Sequence, residues 1–202
     1  MQYHKRKNSG FTLIELMVTI ALTAIILTQA VPSFNALVQN NRLISEKNEF
    51  ISALNLARSE ALKRGVRVTV CASDDQTTCN TNKWEKGWII FSDRNANVAL
   101  DAGTGVCLAT EDCLIRVSTG LSDGNTLAAR KSGATAGTGF LQFTPRGAVD
   151  AAATFTFCDR RGEEHARATN INTLGRAISA SDSGADGIVN DIDGNNVSCS
   201  AS

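Results

Sequence analysis

The chain has 202 residues, enough for one ordinary domain with an extension, and its 20 Lys and Arg balance its 20 Asp and Glu. Lys5, Arg6 and Lys7 gather positive charge in the first ten residues, so the remainder holds 17 basic and 20 acidic residues, a net −3. This excludes a protein that coats nucleic acid by bulk charge, and an aromatic content of 5% argues against a base-stacking platform.

The first element is "KRKNSGFTLIELMVTIAL", residues 5–22, which begins basic, passes Gly10 and turns apolar. From Phe11 to Val31 the polar exceptions are Thr12, Glu15, Thr19, Thr23, Thr28 and Gln29. About 20 apolar residues cross a bilayer as a helix. A cleaved secretory signal has a shorter core that ends at small residues, whereas this pattern runs on beyond Pro32. Pro32 lacks a backbone donor and is expected to kink the helix rather than end it. The anomaly is Glu15, a carboxylate inside the apolar run.

From Asn35 to Arg64 the pattern becomes amphipathic. Leu43, Phe50, Leu54, Ala57 and Ala61 recur at helical spacing, widened by Ile44 and Ile51, and predict a core-facing stripe. Arg42, Glu46, Lys47, Glu49, Arg58, Glu60 and Lys63 are expected mostly on the solvated face. Arg64-Gly65 supplies a basic last turn and a C-cap glycine.

After Gly65 the period changes to two. "VRVTVCAS", "GWIIFSD", "CLIRVST", "FLQFTPRG", "TFTFCDRRG" and residues 166–180 predict strands. The Gly-, Asn-, Asp- and Ser-rich segments 92–105, 120–139 and 181–198 are expected as loops. A sandwich or a curled antiparallel sheet against the helix stripe accommodates this pattern.

Six cysteines, at 71, 79, 107, 113, 158 and 199, lie outside the apolar segment and lack zinc-site spacing. They predict a disulfide-bonded domain outside the cytoplasm. Short loops favour Cys71–Cys79 and Cys107–Cys113, which leaves Cys158–Cys199 to pin the C-terminus.

The basic leader, Gly10, Phe11, Thr12, Leu13, Ile14, Glu15 and the following apolar run resemble the class III signal of type IV pilins and pseudopilins. The resemblance implies cleavage between Gly10 and Phe11 by prepilin peptidase and methylation of the Phe11 amine. It also accounts for Glu15. A lone carboxylate in hydrocarbon is costly, and the Phe11 amine of a neighbouring subunit would be its partner on assembly.

The helix end "ARSEALKRG" with "VRVTVCAS", "GWIIFSD", "FTPRGAV", "FTFCDRRGEEHARA" and "NINTLGRA" resembles the GspH/FimT group of minor pilins, over almost the whole chain. The six cysteines and the tail "DSGADGIVNDIDGNNVSC" look most like its FimU subgroup. The implied fold is α+β and pilin-like, a long N-terminal helix with a membrane-spanning first half, packed on a mostly antiparallel β-sandwich head. The implied organisation is a leader, 1–10, a helix, 11–64, and a disulfide-bonded head, 65–202. Within the helix, 11–34 is the membrane and assembly part and 35–64 the amphipathic part. The implied role is structural. Such a subunit joins other minor pilins to prime assembly and connects an adhesin-bearing tip to the major-pilin shaft. Before assembly it sits in the inner membrane with its head in the periplasm, and afterwards in the pilus near the tip.

Two other roles share this stalk. FimT-like relatives bind DNA through a G-R-x-R loop. Here Gly175 and Arg176 match, but Ile178 replaces the second arginine. Arg160, Arg161 and Arg167 are further candidate phosphate contacts, opposed by Asp159, Glu163, Glu164, Asp182 and Asp186. A GspH-like pseudopilin of type II secretion is the third reading. The Asp- and Asn-rich segments 92–101 and 182–196 offer oxygens but not EF-hand spacing, so solvated turns are expected and no metal or cofactor. Enzymatic activity is not expected. His4 leaves with the leader, His165 is expected as an exposed strand-end residue, and no serine or cysteine carries an activating motif.

Overall fold

The computed structural model describes residues 11–101 and 111–199. Helix α1 covers Leu13–Arg64, and the strands are β1 (Val68–Ala72), β2 (Trp88–Ser92), β3 (Cys113–Ser118), β4 (Thr126–Lys131), β5 (Phe140–Phe143), β6 (Ala153–Cys158), β7 (Arg167–Ile171) and β8 (Ala177–Ser179). They form two four-stranded sheets, β3-β2-β1-β5 and β4-β6-β7-β8, with antiparallel pairing throughout. The fold is α+β, as expected. By compactness the chain divides into Met1–Asn40 and Asn41–Ser202.

In the first unit α1 begins at a capped turn. The Thr12 hydroxyl accepts the Glu15 N–H at 3.3 Å, which satisfies one of the free donors of the first turn. The helix continues through Pro32. The hydroxyls of Thr19, Thr23 and Thr28 donate to the carbonyls of Leu16, Thr19 and Ile25 at 2.7–2.8 Å, so these polar groups are satisfied within the helix. The large side chains from Phe11 to Leu37 stay exposed. This stretch is long and apolar enough to cross a membrane.

In the second unit the other half of α1 packs as a core helix. Leu43, Phe50, Leu54, Ala57 and Ala61 are buried, as the periodicity predicts. Phe50 is the hub. Its ring lies 5.7 Å from Trp84 and 5.0 Å from Trp88, and 4.7 Å from Phe155 and 5.8 Å from Phe157 on β6. One helical side chain therefore touches both sheets, through Trp88 on β2 and the β6 pair. Most of these contacts are edge-on, the favoured geometry for aromatic quadrupoles. Trp84 lies on a short 3-10 turn and donates its indole N–H to the Thr138 carbonyl at 2.7 Å. Gly65, at φ +65°, ends the helix by donating to the Ala61 carbonyl at 3.0 Å.

Three expectations change. Segment 120–139 is not all loop, because β4 pairs along β6 from Thr126↔Cys158 to Lys131↔Ala153. Its inward residues, Leu127 and Ala129, are too few to signal a strand against the glycines around them. His165 is half-buried on a 3-10 turn before β7 rather than exposed at a strand end. Glu46 is buried, because its phase places it in the stripe between Leu43 and Phe50. Its carboxylate accepts the Ser122 N–H at 2.9 Å and the Asn125 amide at 2.6 Å, tying the β3–β4 loop to α1.

Phe50→Ala is expected to destabilise the head by about 3–5 kcal/mol. Denaturation of the detergent-solubilised chain, followed by tryptophan fluorescence, measures this directly, since both tryptophans touch Phe50. Glu46→Ala strands two donors and is expected to cost about 1–3 kcal/mol in the same assay.

Candidate functional site

The N-terminal end of α1 is the first candidate surface. Phe11 is exposed, and Glu15 sits four residues on in the first turn. Thr12 and Glu15 stand in the T-x-x-E relation of a capping box, and the helix N-terminus carries partial positive charge that favours an acid there. Gly10 and the bond after it lie outside the described residues. The three-residue spacing of Thr12 and Glu15 is the signal in the sequence that marks this cap.

The head is held by two disulfides among the described residues, Cys71–Cys79 and Cys158–Cys199. The pair expected between Cys107 and Cys113 cannot be placed, because Cys107 lies outside those residues. Cys71–Cys79 closes a loop organised by Asp75. That carboxylate accepts the Thr78 hydroxyl at 2.5 Å, the Thr77 and Thr78 N–H groups at 2.8 Å and the Ser73 hydroxyl at 2.9 Å. The Thr78 hydroxyl, followed by the two backbone donors, holds its pKa far below the usual carboxylate range.

Cys158–Cys199 fixes the tail across the outer face of β6 and β7. Ile188, Val189 and Val197 pack with Ala166 and Ala168 beside the disulfide. Polar contacts pin the rest. Arg130 pairs with Asp191, Ser132 and Gly133 donate to Asp193, and the Ile192 N–H donates to the Thr154 hydroxyl at 2.8 Å. Asp186 accepts the Asn196 amide at 2.6 Å, and Glu163 accepts the Cys199 N–H at 3.1 Å. The carboxylates that offered oxygens to a cation are thus engaged by donors of the same chain. In the other segment, Asp93 is fully buried and accepts from Thr69, Gln142, Asn97 and Val98. Among the described residues no group of three or more His, Cys, Asp or Glu is placed to hold a metal ion.

The four candidate DNA-binding arginines do not form one patch. Arg161 is fork-bonded to Asp159, with its closest contact at 2.5 Å. Burial pushes the Asp159 carboxyl up, but the Arg161 hydrogen bonds outweigh it and leave its pKa lowered. Arg160 lays its guanidinium against Gly124, and Arg167 starts β7 near Lys47. Arg176 lies at the opposite end of β7, where its N–H donates to the Asn172 side chain at 3.0 Å. Of the acids expected to oppose these arginines, Asp159 alone forms an ion pair with one of them among the described residues.

A long helix with an acid in its first turn and a two-sheet, disulfide-tied head define a pilin-type subunit. Comparison with known proteins agrees. The model of the family "Type II transport protein GspH" matches residues 46–175, and that of the prokaryotic N-terminal methylation motif matches residues 5–28. The chain belongs to the GspH family of minor pilins and pseudopilins, whose members are structural subunits rather than enzymes. Its fold is similar to that of the type IV minor pilin FimU of Pseudomonas aeruginosa, with 21% identity over 72% of this chain and 92% of that one at a TM-score of 0.51. A weaker match is the minor pseudopilin EpsH from the type II secretion system of Vibrio cholerae, with 15% identity over 74% of this chain and 99% of that one at a TM-score of 0.47. No curated protein matches the chain.

The tail contacts make a pH prediction. The Asn196 amide chiefly lowers the Asp186 pKa, and the Ser132 hydroxyl chiefly lowers that of Asp193, both from an ordinary value of 3.8. Carboxyls depressed in the folded state contribute stability that is present above the unfolded value and lost as pH falls through the folded one. Hydrogen exchange of residues 182–198 is therefore expected to accelerate relative to β1 and β2 as pH drops below 3.8. Equal acceleration of tail and core would contradict it.

Proposed function

We propose that the protein is a minor pilin of the type IV pilus. It is inserted in the inner membrane with its head in the periplasm, processed by prepilin peptidase between Gly10 and Phe11 and methylated on Phe11. It joins other minor pilins to prime assembly and connects tip components, including an adhesin, to the major-pilin shaft. The observation that carries this reading is Glu15 in the capped first turn of a helix of membrane length, within the N-terminal methylation motif.

The physical argument runs from charge. Once Phe11 becomes the N-terminus, its amine and the Glu15 carboxylate are opposite charges in an apolar setting. Helices stacked with an axial offset bring Glu15 of one subunit to the Phe11 amine of the next. Two desolvation penalties are then partly offset by one contact, which exists only in the assembled fibre and fixes its register. Disulfides in the head are consistent with an oxidising compartment. The scattered arginines give less support to DNA uptake.

Glu15→Ala is expected to leave membrane insertion unchanged and to lower the amount in sheared pili by about tenfold or more, the effect of leaving one buried charge without its partner. Quantitative immunoblotting of membrane and pilus fractions measures both. Normal incorporation would remove the pairing argument, and recovery only in a secretion-system pseudopilus would move the protein to that machine.

A further inference from the structure

One end of the head carries a surface that the assembly helix does not explain. The β5–β6 loop and the β7–β8 loop meet there. Gly175, at φ +71°, lies so close to the Gly147 carbonyl that no Cβ fits between them. The Val149 N–H donates to the Thr173 carbonyl at 3.1 Å and locks the two loops together. Arg58 reaches over from α1 and donates its Nε–H to the Gly147 carbonyl at 3.0 Å, and the Leu62 side chain packs beside the same glycine. Arg146 and Arg176 each stand one residue from this contact and are exposed. Leu174 and Leu62 are 64% and 52% exposed. Among the described residues no carboxylate pairs with Arg58, Arg146 or Arg176, and nearby Glu60 is taken by Arg64 at 2.5 Å and Lys63 at 3.7 Å.

The patch is therefore cationic, bears two large exposed aliphatic side chains and is preformed by backbone contacts. It stands out on a head whose residues 65–202 carry 12 basic and 16 acidic side chains. Unpaired arginines call for an acidic partner. Two exposed leucines beside them favour protein over nucleic acid, since a phosphate backbone gains little from aliphatic surface, whereas apolar anchors ringed by arginine are typical of protein interfaces. We propose that the surface formed by Arg58, Leu62, Arg146, Leu174 and Arg176 docks an acidic, partly apolar segment of a neighbouring pilin subunit. The proposal rests on the subunit role above. It gives Arg176 a protein partner in place of DNA.

The test uses the full chain in cells that assemble it, with a photoreactive amino acid at position 174 and, as a control elsewhere on the head, at position 77. The expected result is a cross-link from position 174 to a pilin peptide that carries Asp or Glu beside apolar residues. Its yield should fall about tenfold or more in the Arg146→Glu, Arg176→Glu variant, the effect of losing the charge complementarity. A cross-link to a peptide without acids, or one of equal yield from position 77, overturns the proposal. So does duplex DNA binding by the detergent-solubilised chain that the same charge reversals abolish. Presence in sheared pili without the cross-link removes this surface and keeps the pilus reading. The cross-link in the membrane without presence in pili does the reverse, and absence of both removes both.

Discussion

One helix has to satisfy two solvents, and the rest of the molecule follows from how it does so. The first half of α1 is apolar on every side, so its stability cannot come from burial within this chain. It relies on internally satisfied hydroxyls and on an N-terminal cap. The second half is apolar on one side, and there Phe50 gathers Trp84, Trp88, Phe155 and Phe157 around it. Neither sheet has to close on itself, because a helical side chain fills the space between them. The same helix thus combines an exposed stretch suited to lipid or to other helices with the central column of a globular core.

Polar side chains do the fastening elsewhere. Glu46, Asp93 and Asp191 are buried carboxylates, each surrounded by donors from distant parts of the chain. A buried acid is tolerated when its lone pairs are used, and removing any one donor exposes the cost. Such staples let long polar loops lie against the head without large apolar anchors. They also explain why the Asp-rich segments look like cation sites in sequence. The residue types are shared, but here the oxygens face amides, hydroxyls and one guanidinium.

Much of this was legible in the sequence. The length of the apolar run, the change of period after Gly65 and the one-sided stripe of 43–61 are strong because they repeat. β4 was not legible, since its buried face shows only Leu127 and Ala129, too short an alternation to signal a strand among glycines and polar residues. Glu46 was hidden by its charge, although its phase within the stripe pointed inward. The placement of the arginines depended on strand register, which composition does not reveal. Arg167 and Arg176 are nine positions apart in sequence and lie at opposite ends of β7 because the length of that strand and the turn after it intervene. The contact of Gly147 with Gly175, which sets Arg146 and Arg176 beside Arg58, leaves no trace in composition or periodicity.

The Cys158–Cys199 bond has a kinetic consequence. The tail is a strap anchored at both ends, by β8 at one and by the disulfide at the other. When a contact such as Arg130–Asp191 or Ser132–Asp193 opens, its two halves remain within a short tether at high effective concentration. Opening is then a brief local excursion that recloses before the neighbouring contacts follow. A protease or a competing strand meets the outer face of β6 and β7 only during such excursions. Reduction of this one bond would leave the flap tethered through β8 alone, so that each opening would last longer.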